Sequence, residues 1–192
     1  MYENRVVVLI QVDNDGFEIE PVIFNLYDEE GNPVTEIPSN LVPPNSKRLF
    51  TPKWNFEAKD WEEGNVDLAL SETKRMLTIQ YNMECTAYIE NGFFYNDDFF
   101  SFSMAKDQAN FSQQLTFLLA RPDINEIEWK TENNGVKTFT RDEFMAICGA
   151  GEQWKRTNMS KYWQLEAYIE SLTDLEVLNS LGTFEEAIQK LN

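Results

Sequence analysis

The sequence predicts an α+β fold. We expect a small N-terminal antiparallel β region, a connector rich in proline and tryptophan, and a mainly helical domain with two β-hairpins. A β-branched apolar run opens the chain, helical spacing of apolar residues begins near Val66, and two turn signals interrupt the helical part. The predicted domains are residues 1–64, the β region with its connector, and residues 65–192, the helical domain with hairpins near 93–102 and 126–140.

The N-terminal strands are predicted from two stretches. Residues 5–12, RVVVLIQV, are mostly β-branched, and residues 21–38, PVIFNLYDEEGNPVTEIP, have the pattern strand, turn, strand, with the turn at Gly31 and Asn32. The first 40 residues therefore predict two to four antiparallel strands. A sheet this small needs a cover to be stable, and its edges could also pair with another chain.

The connector spans residues 38–64 and carries four prolines and two tryptophans without a helical or strand period. Because proline fixes the backbone and removes a hydrogen-bond donor, we expect an irregular segment. Trp54, Phe56 and Trp61 are its aromatic anchors. They are candidate partner-binding residues, since exposed aromatic side chains dominate interface energetics, but they could equally roof the small sheet.

A helix is predicted from Val66 to about Glu90. Its apolar face recurs at three- and four-residue steps, and Gly92 supplies the C-terminal stop. The residues predicted for that face are Leu68, Ser71, Arg75 or Met76, Ile79, Met83 and Ala87.

Six aromatic residues crowd into the stretch FFYNDDFFSF at 93–102, on both sides of a turn signal at Asn96–Asp98. The pattern predicts a hairpin. The aromatic residues could form a ligand cage or a flap that covers the core, and the usual burial of aromatic side chains favours the flap. Ser103 is predicted to cap a second helix over Met104–Leu119, with Phe111, Leu115 and Leu118 on one side.

The remaining elements follow from turn and cap signals. Asn133, Asn134 and Gly135 separate EIEWKT from VKTFT and predict the second hairpin. A long helix with apolar spacing follows, interrupted by Gly149 and Gly151, which mark either a bend or a close helix contact. Two short closing helices complete the chain. Three capping boxes are predicted, at Thr140 with Glu143, Thr173 with Glu176, and Thr183 with Glu186.

The charge is strongly negative: 33 acidic against 16 basic residues give −17 at pH 7. Such a surface repels phosphate backbones and anionic lipid, so we expect neither nucleic-acid nor membrane binding. The charge suits solubility, a basic protein partner, or imitation of nucleic acid. The acids are dispersed along the chain, which favours solubility. No apolar stretch approaches the roughly 20 residues of a bilayer span, so we expect synthesis in the cytoplasm.

Residues that carry chemistry are scarce. The chain has no histidine, which removes the commonest general base and zinc ligand, and Cys85 and Cys148 are expected to be buried free thiols. The DNDG at 13–16 is not a calcium loop, because the position that requires glutamate is Phe24. The GAG at 149–151 lacks the lysine of a phosphate loop. We therefore predict a protein that is not an enzyme, with no catalytic, cofactor-binding or metal-binding residues.

The ordered set of motifs resembles a domain of unknown function that is widespread in bacteriophage tail gene clusters. The similarity covers about residues 66–182. It rests on Gly92-Phe93-Phe94-Tyr95, Phe99 or Phe100, Gln108 and Asn110, Trp129 and Thr131, Phe139-Thr140, and the segment Thr173–Leu178. The upstream segment LVPPNSKRLFTPKWNFEAKDWEEG resembles the linker of small tail and tail-fibre-assembly proteins. The departure is at Gly149–Gly151, where stronger helix formers are expected.

The resemblance implies an interaction protein of a phage tail. The expected function is a non-enzymatic structural component of the virion tail, in the tail tip, baseplate or fibre attachment. One alternative is a tail-fibre assembly chaperone that is absent from the mature particle, and another is an acidic DNA mimic that inhibits a host defence. The implied partners are other tail or fibre proteins, in a homo-oligomer or symmetric assembly. The implied location is the virion, after synthesis in the host cytoplasm.

Overall fold

The computed structural model describes residues 6–191 and confirms the α+β class. In chain order the elements are β1 (Val6–Val12), β2 (Glu18–Asn25), β3 (Leu41–Val42), β4 (Pro52–Asn55), β5 (Asp60–Glu63), α1 (Val66–Asn91), β6 (Phe93–Tyr95), β7 (Asp98–Phe100), α2 (Asp107–Ala120), β8 (Glu126–Thr131), β9 (Gly135–Thr140), α3 (Arg141–Ser171), α4 (Leu175–Asn179) and α5 (Phe184–Gln189). The chain divides into two compact units, with the boundary between Thr73 and Lys74 inside α1. The division into domains 1–64 and 65–192 stays a prediction.

The N-terminal unit contains an antiparallel sheet in the order β2-β1-β3 and a separate β4–β5 hairpin. The β1–β2 turn forms because the Asp13 carboxylate accepts the backbone N–H groups of Asp15 and Phe17, both at 2.9 Å. The DNDG segment is thus a hairpin turn. The second strand predicted within 21–38 is reduced to one isolated bridge, between Tyr27 and Pro33.

The prediction that the connector is irregular is wrong, because residues 38–64 contain β3 and the whole β4–β5 hairpin. Proline is compatible with this hairpin since Pro52 is the first residue of β4, where no ladder donor is required. Asn55 closes the turn by accepting the N–H groups of Glu57 and Ala58 on its side-chain oxygen. The core of this unit is small: it consists of Ile10, Val12, Val42, Trp54 and Trp61, with Leu49 packed against them.

The first helix has the predicted length but buries another face. The four large apolar residues of the predicted face, Leu68, Met76, Ile79 and Met83, are exposed. In the second unit α1 buries Tyr81, Cys85 and Ile89 instead, spaced four residues apart. The helix carries two apolar stripes, and a repeat of three to four residues does not choose between them.

Two predicted helix starts are displaced by aspartates. α2 begins at Asp107 and not at Met104, because the Asp107 carboxylate folds back to accept the Ser101 and Ser103 hydroxyls at 2.6 and 2.7 Å. α4 is capped by Asp174, whose side chain accepts the N–H of Glu176 at 2.8 Å, and not by Thr173. At α4 the Asp174 carboxylate accepts the free N–H groups of the first turn in place of the neighbouring Thr173 hydroxyl.

The other capping boxes and both hairpins are confirmed. The box at Thr140 and Glu143 begins α3, and the box at Thr183 and Glu186 begins α5. α3 continues through its glycines as one helix of 31 residues. Cys85 and Cys148 are free thiols as predicted, but only Cys85 is fully buried; Cys148 is half-buried, and this burial raises the pKa of its thiol to about 11. Within the described chain no helix combines the length and apolar character needed to cross a membrane.

Candidate functional site

An aromatic cleft of about 590 Å³ opens in the second unit, where the end of α1, the β6–β7 hairpin and the middle of α3 meet. We call it the aromatic cleft. It is lined by Tyr88, Asn91, Gly92, Phe93, Phe94, Phe99, Ala150, Gln153, Trp154 and Thr157. Pockets of this size commonly hold ligands or partner side chains.

The β6–β7 hairpin forms one wall because successive strand residues point to opposite faces. Phe93 pairs with Phe100 across the strands, and both are buried. The next pair, Phe94 and Phe99, points the other way, with ring centroids 4.8 Å apart, and Phe94 is 68% exposed. The hairpin is therefore the predicted core flap on its inner face, and on its outer face it presents an aromatic pair to the cleft.

The opposite wall is a stacked pair of rings from α1 and α3. Tyr88 and Trp154 lie 5.1 Å apart with an interplanar angle of 28°. The Trp154 indole N–H donates to the carbonyl of Ile89 at 3.3 Å, which fixes the ring against the end of α1. The hydrogen bond and the stacking contact therefore hold the aromatic surface of this wall in place.

Ala150 of α3 forms the floor of the cleft, and the neighbouring Gly151 lets the hairpin pack closely against α3. A Cβ on Gly151 would lie 2.8 Å from the Phe93 ring and 2.9 Å from the Phe102 ring, so only glycine lets the hairpin pack this closely. Gly149 faces open space. Of the two predicted roles for these glycines, Gly151 serves a close contact, although with the hairpin and not with another helix.

The second hairpin holds the first in position. Asn133 accepts the N–H of Phe99 at 2.9 Å and donates to the Asp97 carbonyl at 2.8 Å. Asn134 donates to the Asp98 carboxylate at 2.8 Å, and Lys137 forms an ion pair with the same carboxylate at 2.6 Å. The Lys137 ammonium and the Asn134 amide hold the pKa of Asp98 below its usual range.

The cleft is uncharged, although charged residues make up 26% of the chain. Its polar groups are the amides of Asn91 and Gln153 and the hydroxyls of Tyr88 and Thr157. Gln153 donates to the Thr157 hydroxyl at 3.1 Å. Aromatic rings with a few neutral polar groups suit an apolar or amphipathic occupant, and without a basic residue they suit an anion poorly.

Seven carboxyl groups of the described chain have a lowered pKa because of neighbouring hydrogen bonds or ion pairs. Among the described residues, every carboxyl whose pKa departs clearly from its ordinary value departs downward. No cluster of three or more Cys, Asp or Glu residues suited to a metal ion occurs in the part of the chain that the structure describes.

The predicted partner residues lie in the other unit. Trp54 and Trp61 are 8% and 4% exposed and pack edge to face with centroids 5.7 Å apart. Trp61 also donates its indole N–H to the Pro43 carbonyl at 2.8 Å. Both tryptophans thus roof the small sheet, while Phe56 in the turn is exposed. Their part in partner binding stays a prediction.

Sequence reasoning missed Tyr88, Trp154 and Ala150 as members of one site. Tyr88 in α1 precedes Ala150 and Trp154 in α3 by at least 62 positions, and no local sequence pattern links them. The only available signal was the small-residue step at Gly149–Gly151 on a helix otherwise rich in large residues.

The fold and the cleft define an α+β protein whose second unit carries an uncharged aromatic cleft. The chain belongs to the family described as Domain of unknown function (DUF4376), whose model matches residues 72–184, more than half of the chain. All residues that line the aromatic cleft lie within the matched range. The comparisons with curated proteins and with solved structures find no match.

Proposed function

We propose that this protein is a non-enzymatic structural component of a bacteriophage virion tail, at the tail tip, baseplate or fibre attachment. The aromatic cleft receives apolar side chains of a neighbouring tail or fibre protein. One observation supports the proposal most strongly: the aromatic cleft is uncharged, although the chain has a net charge of −17. All residues that line this cleft lie within the range matched by the family model. The tail context comes from the resemblance of the ordered motifs between residues 66 and 182.

The cleft suits a protein partner for energetic reasons. Tryptophan, tyrosine and phenylalanine supply large contact areas with few rotatable bonds, and such residues dominate the energetics of interfaces. Phe94 offers the most exposed ring of the set, and Trp154 is already fixed by its hydrogen bond to Ile89. The absence of charge from the lining lets a partner bind there without desolvating an unpaired ion.

Quantitative mass spectrometry of purified particles of the encoding phage tests the proposed location. A structural role predicts a fixed copy number, about three, six or twelve per particle, because tails are built on closed symmetry. Absence from particles together with abundance in infected cells would contradict the proposal and support an assembly chaperone.

A cleft-filling variant tests the proposed surface. Ala150→Trp places a large ring in the cleft floor, while Gln164→Trp places the same ring at an exposed position of α3 outside the cleft. We expect Ala150→Trp to lower incorporation into particles at least about tenfold, as loss of about 1.4 kcal/mol of binding free energy would. Gln164→Trp should incorporate normally. Equal incorporation of both folded variants would remove the cleft from the proposal and leave the tail location intact.

A further inference from the structure

We infer that the N-terminal unit binds an extended basic segment of another protein by strand addition, along the edge of β1 beside Val6 and Val8. This inference concerns a surface in a different unit from the aromatic cleft and does not depend on it. Strand addition uses backbone hydrogen bonds for affinity and alternate side chains for specificity.

The edge is open because β3 is too short to cover it. β2 pairs with β1 from Val6 to Val12, whereas β3 pairs only with Ile10 and Gln11. Val12 donates its N–H to the Asn40 carbonyl at 2.9 Å, on the β3 side of β1. Backbone groups of a strand alternate between its two edges, so those of Val6 and Val8 point to this same side. In the described chain no turn or loop hydrogen bond reaches either residue.

The side chains next to this edge are apolar and exposed. Val8 lies opposite Ile23 in the ladder, and the two are 54% and 73% exposed. Val6 lies two residues from Val8 on the same face and is also exposed. An added strand would continue the line of β3 and cover this apolar face with its own alternate side chains.

The two edges of the sheet differ in how well they are protected against the addition of another strand. On the far edge, β2 carries Pro21, which has no N–H and is a usual means of blocking strand addition. The β1 edge carries neither proline nor lysine between Val6 and Val12. Natural sheets protect their free edges, so an edge left unprotected beside a protected one is suited to pairing.

The negative charge of the N-terminal unit indicates which kind of segment can pair with the β1 edge. The N-terminal unit, residues 1–73, contains 15 acidic and five basic residues. A second copy of the same edge would bring two strongly acidic regions together, which Coulomb repulsion opposes. A segment that alternates apolar residues with lysine or arginine matches both the apolar face and the surrounding negative charge.

The test uses a synthetic probe and the full chain. The probe is an acetylated hexapeptide that alternates valine with lysine, and its controls are the same peptide with glutamate for lysine and a version with N-methylated valines, which has lost backbone donors. Amide hydrogen exchange is followed by NMR. At a lysine peptide concentration ten times its Kd, exchange at Val6 and Val8 should slow about tenfold. Neither control peptide should protect these amides.

Two variants test whether the peptide binds along the β1 edge. Val8→Pro removes the outward N–H without touching the β2 ladder and should abolish protection at Val6. Ile19→Thr changes an exposed apolar residue at the β1–β2 bulge, away from the edge and without altering the charge, and should leave binding unchanged. Three results would overturn the inference: binding without protection of Val6 and Val8, equal protection by the N-methylated peptide, or peptide-free protection that rises with protein concentration, which would assign the edge to a second copy. The peptide comparison stands even if Val8→Pro fails to fold.

Discussion

The β4–β5 and β6–β7 hairpins both pair aromatic residues across short strands, but they distribute them differently. In β4–β5 the two tryptophans lie directly opposite each other on one face, and polar residues flank each of them. In β6–β7 the aromatic residues are consecutive, so Phe93 and Phe100 fill the core while Phe94 and Phe99 are left outside. A single aromatic pair packs into the core, whereas two consecutive pairs place one pair in the core and the other on the wall of the aromatic cleft.

The largest expected effect separates the two faces of the β6–β7 hairpin. Phe100 is 1% exposed and contacts the rings of Phe93, Phe111 and Phe139. Phe100→Ala should lower the free energy of unfolding by about 3–5 kcal/mol, through lost burial and a cavity. Phe94→Ala should cost less than about 1 kcal/mol, since the ring is exposed. Chemical denaturation of both variants measures the difference, and similar costs would contradict the division of faces.

The two glycines on either side of Ala150 in α3 test how closely the β6–β7 hairpin packs against this helix. Gly149→Ala should raise the free energy of unfolding by up to about 1 kcal/mol, because alanine favours the helix and the site is open. Gly151→Ala should lower it by about 1–2 kcal/mol net, because overpacking against Phe93 and Phe102 exceeds that gain. Thermal unfolding of the matched pair is the measurement. A stabilised Gly151→Ala variant would show that the hairpin can shift away from α3 at little cost.

The indole hydrogen bond distinguishes the two tryptophans of the β4–β5 hairpin. Trp61→Phe keeps an aromatic ring but leaves the Pro43 carbonyl without the indole donor, so it should cost about 1 kcal/mol more than Trp54→Phe. Hydrogen exchange of the N-terminal strands in the full chain reports the stability of this unit. If both variants accelerate exchange equally, the Trp61 indole does not contribute through this bond.

The smallest expected effect is a pH dependence carried by the aspartates of the two hairpins. Asp98 is 7% exposed and Asp60 58%, and each forms a lysine ion pair at 2.6 Å that holds its pKa below the usual value. A lowered folded-state pKa means that the unfolded chain binds the proton more readily. The stabilisation is therefore present above the unfolded pKa of about 4 and is lost as pH falls through the folded value.

Asp98→Asn should remove at most about 1 kcal/mol at pH 7, because the partly exposed Lys137 is screened by solvent. It should also flatten the acid limb of the stability curve. Asp60→Asn should have a smaller effect on both. Denaturation followed between about pH 2 and 7 makes the comparison. A steeper loss for Asp60→Asn than for Asp98→Asn would contradict the role of burial.

Several local features follow from sequence because they depend on neighbouring residues. Asn133–Gly135 encodes its turn, and Thr140 and Thr183 encode their caps within three residues. The prediction failed where two local solutions compete. α1 offers two apolar stripes, and Asp174 stands beside Thr173 with an equally suitable oxygen. In both cases tertiary packing or the local geometry of one alternative decided the result.

The sequence by itself determined the fold class, both hairpins of the second unit, the long α3 helix and the negative charge, because each arises from composition or short-range periodicity. Only the tertiary structure decided which face of α1 is buried, that Trp54 and Trp61 form a core, and that Tyr88, Phe94 and Trp154 share one cleft. These outcomes depend on contacts between residues that are distant in the chain. The physical reason is that a strand or helix pattern fixes which residues share a face, while only packing fixes what that face meets.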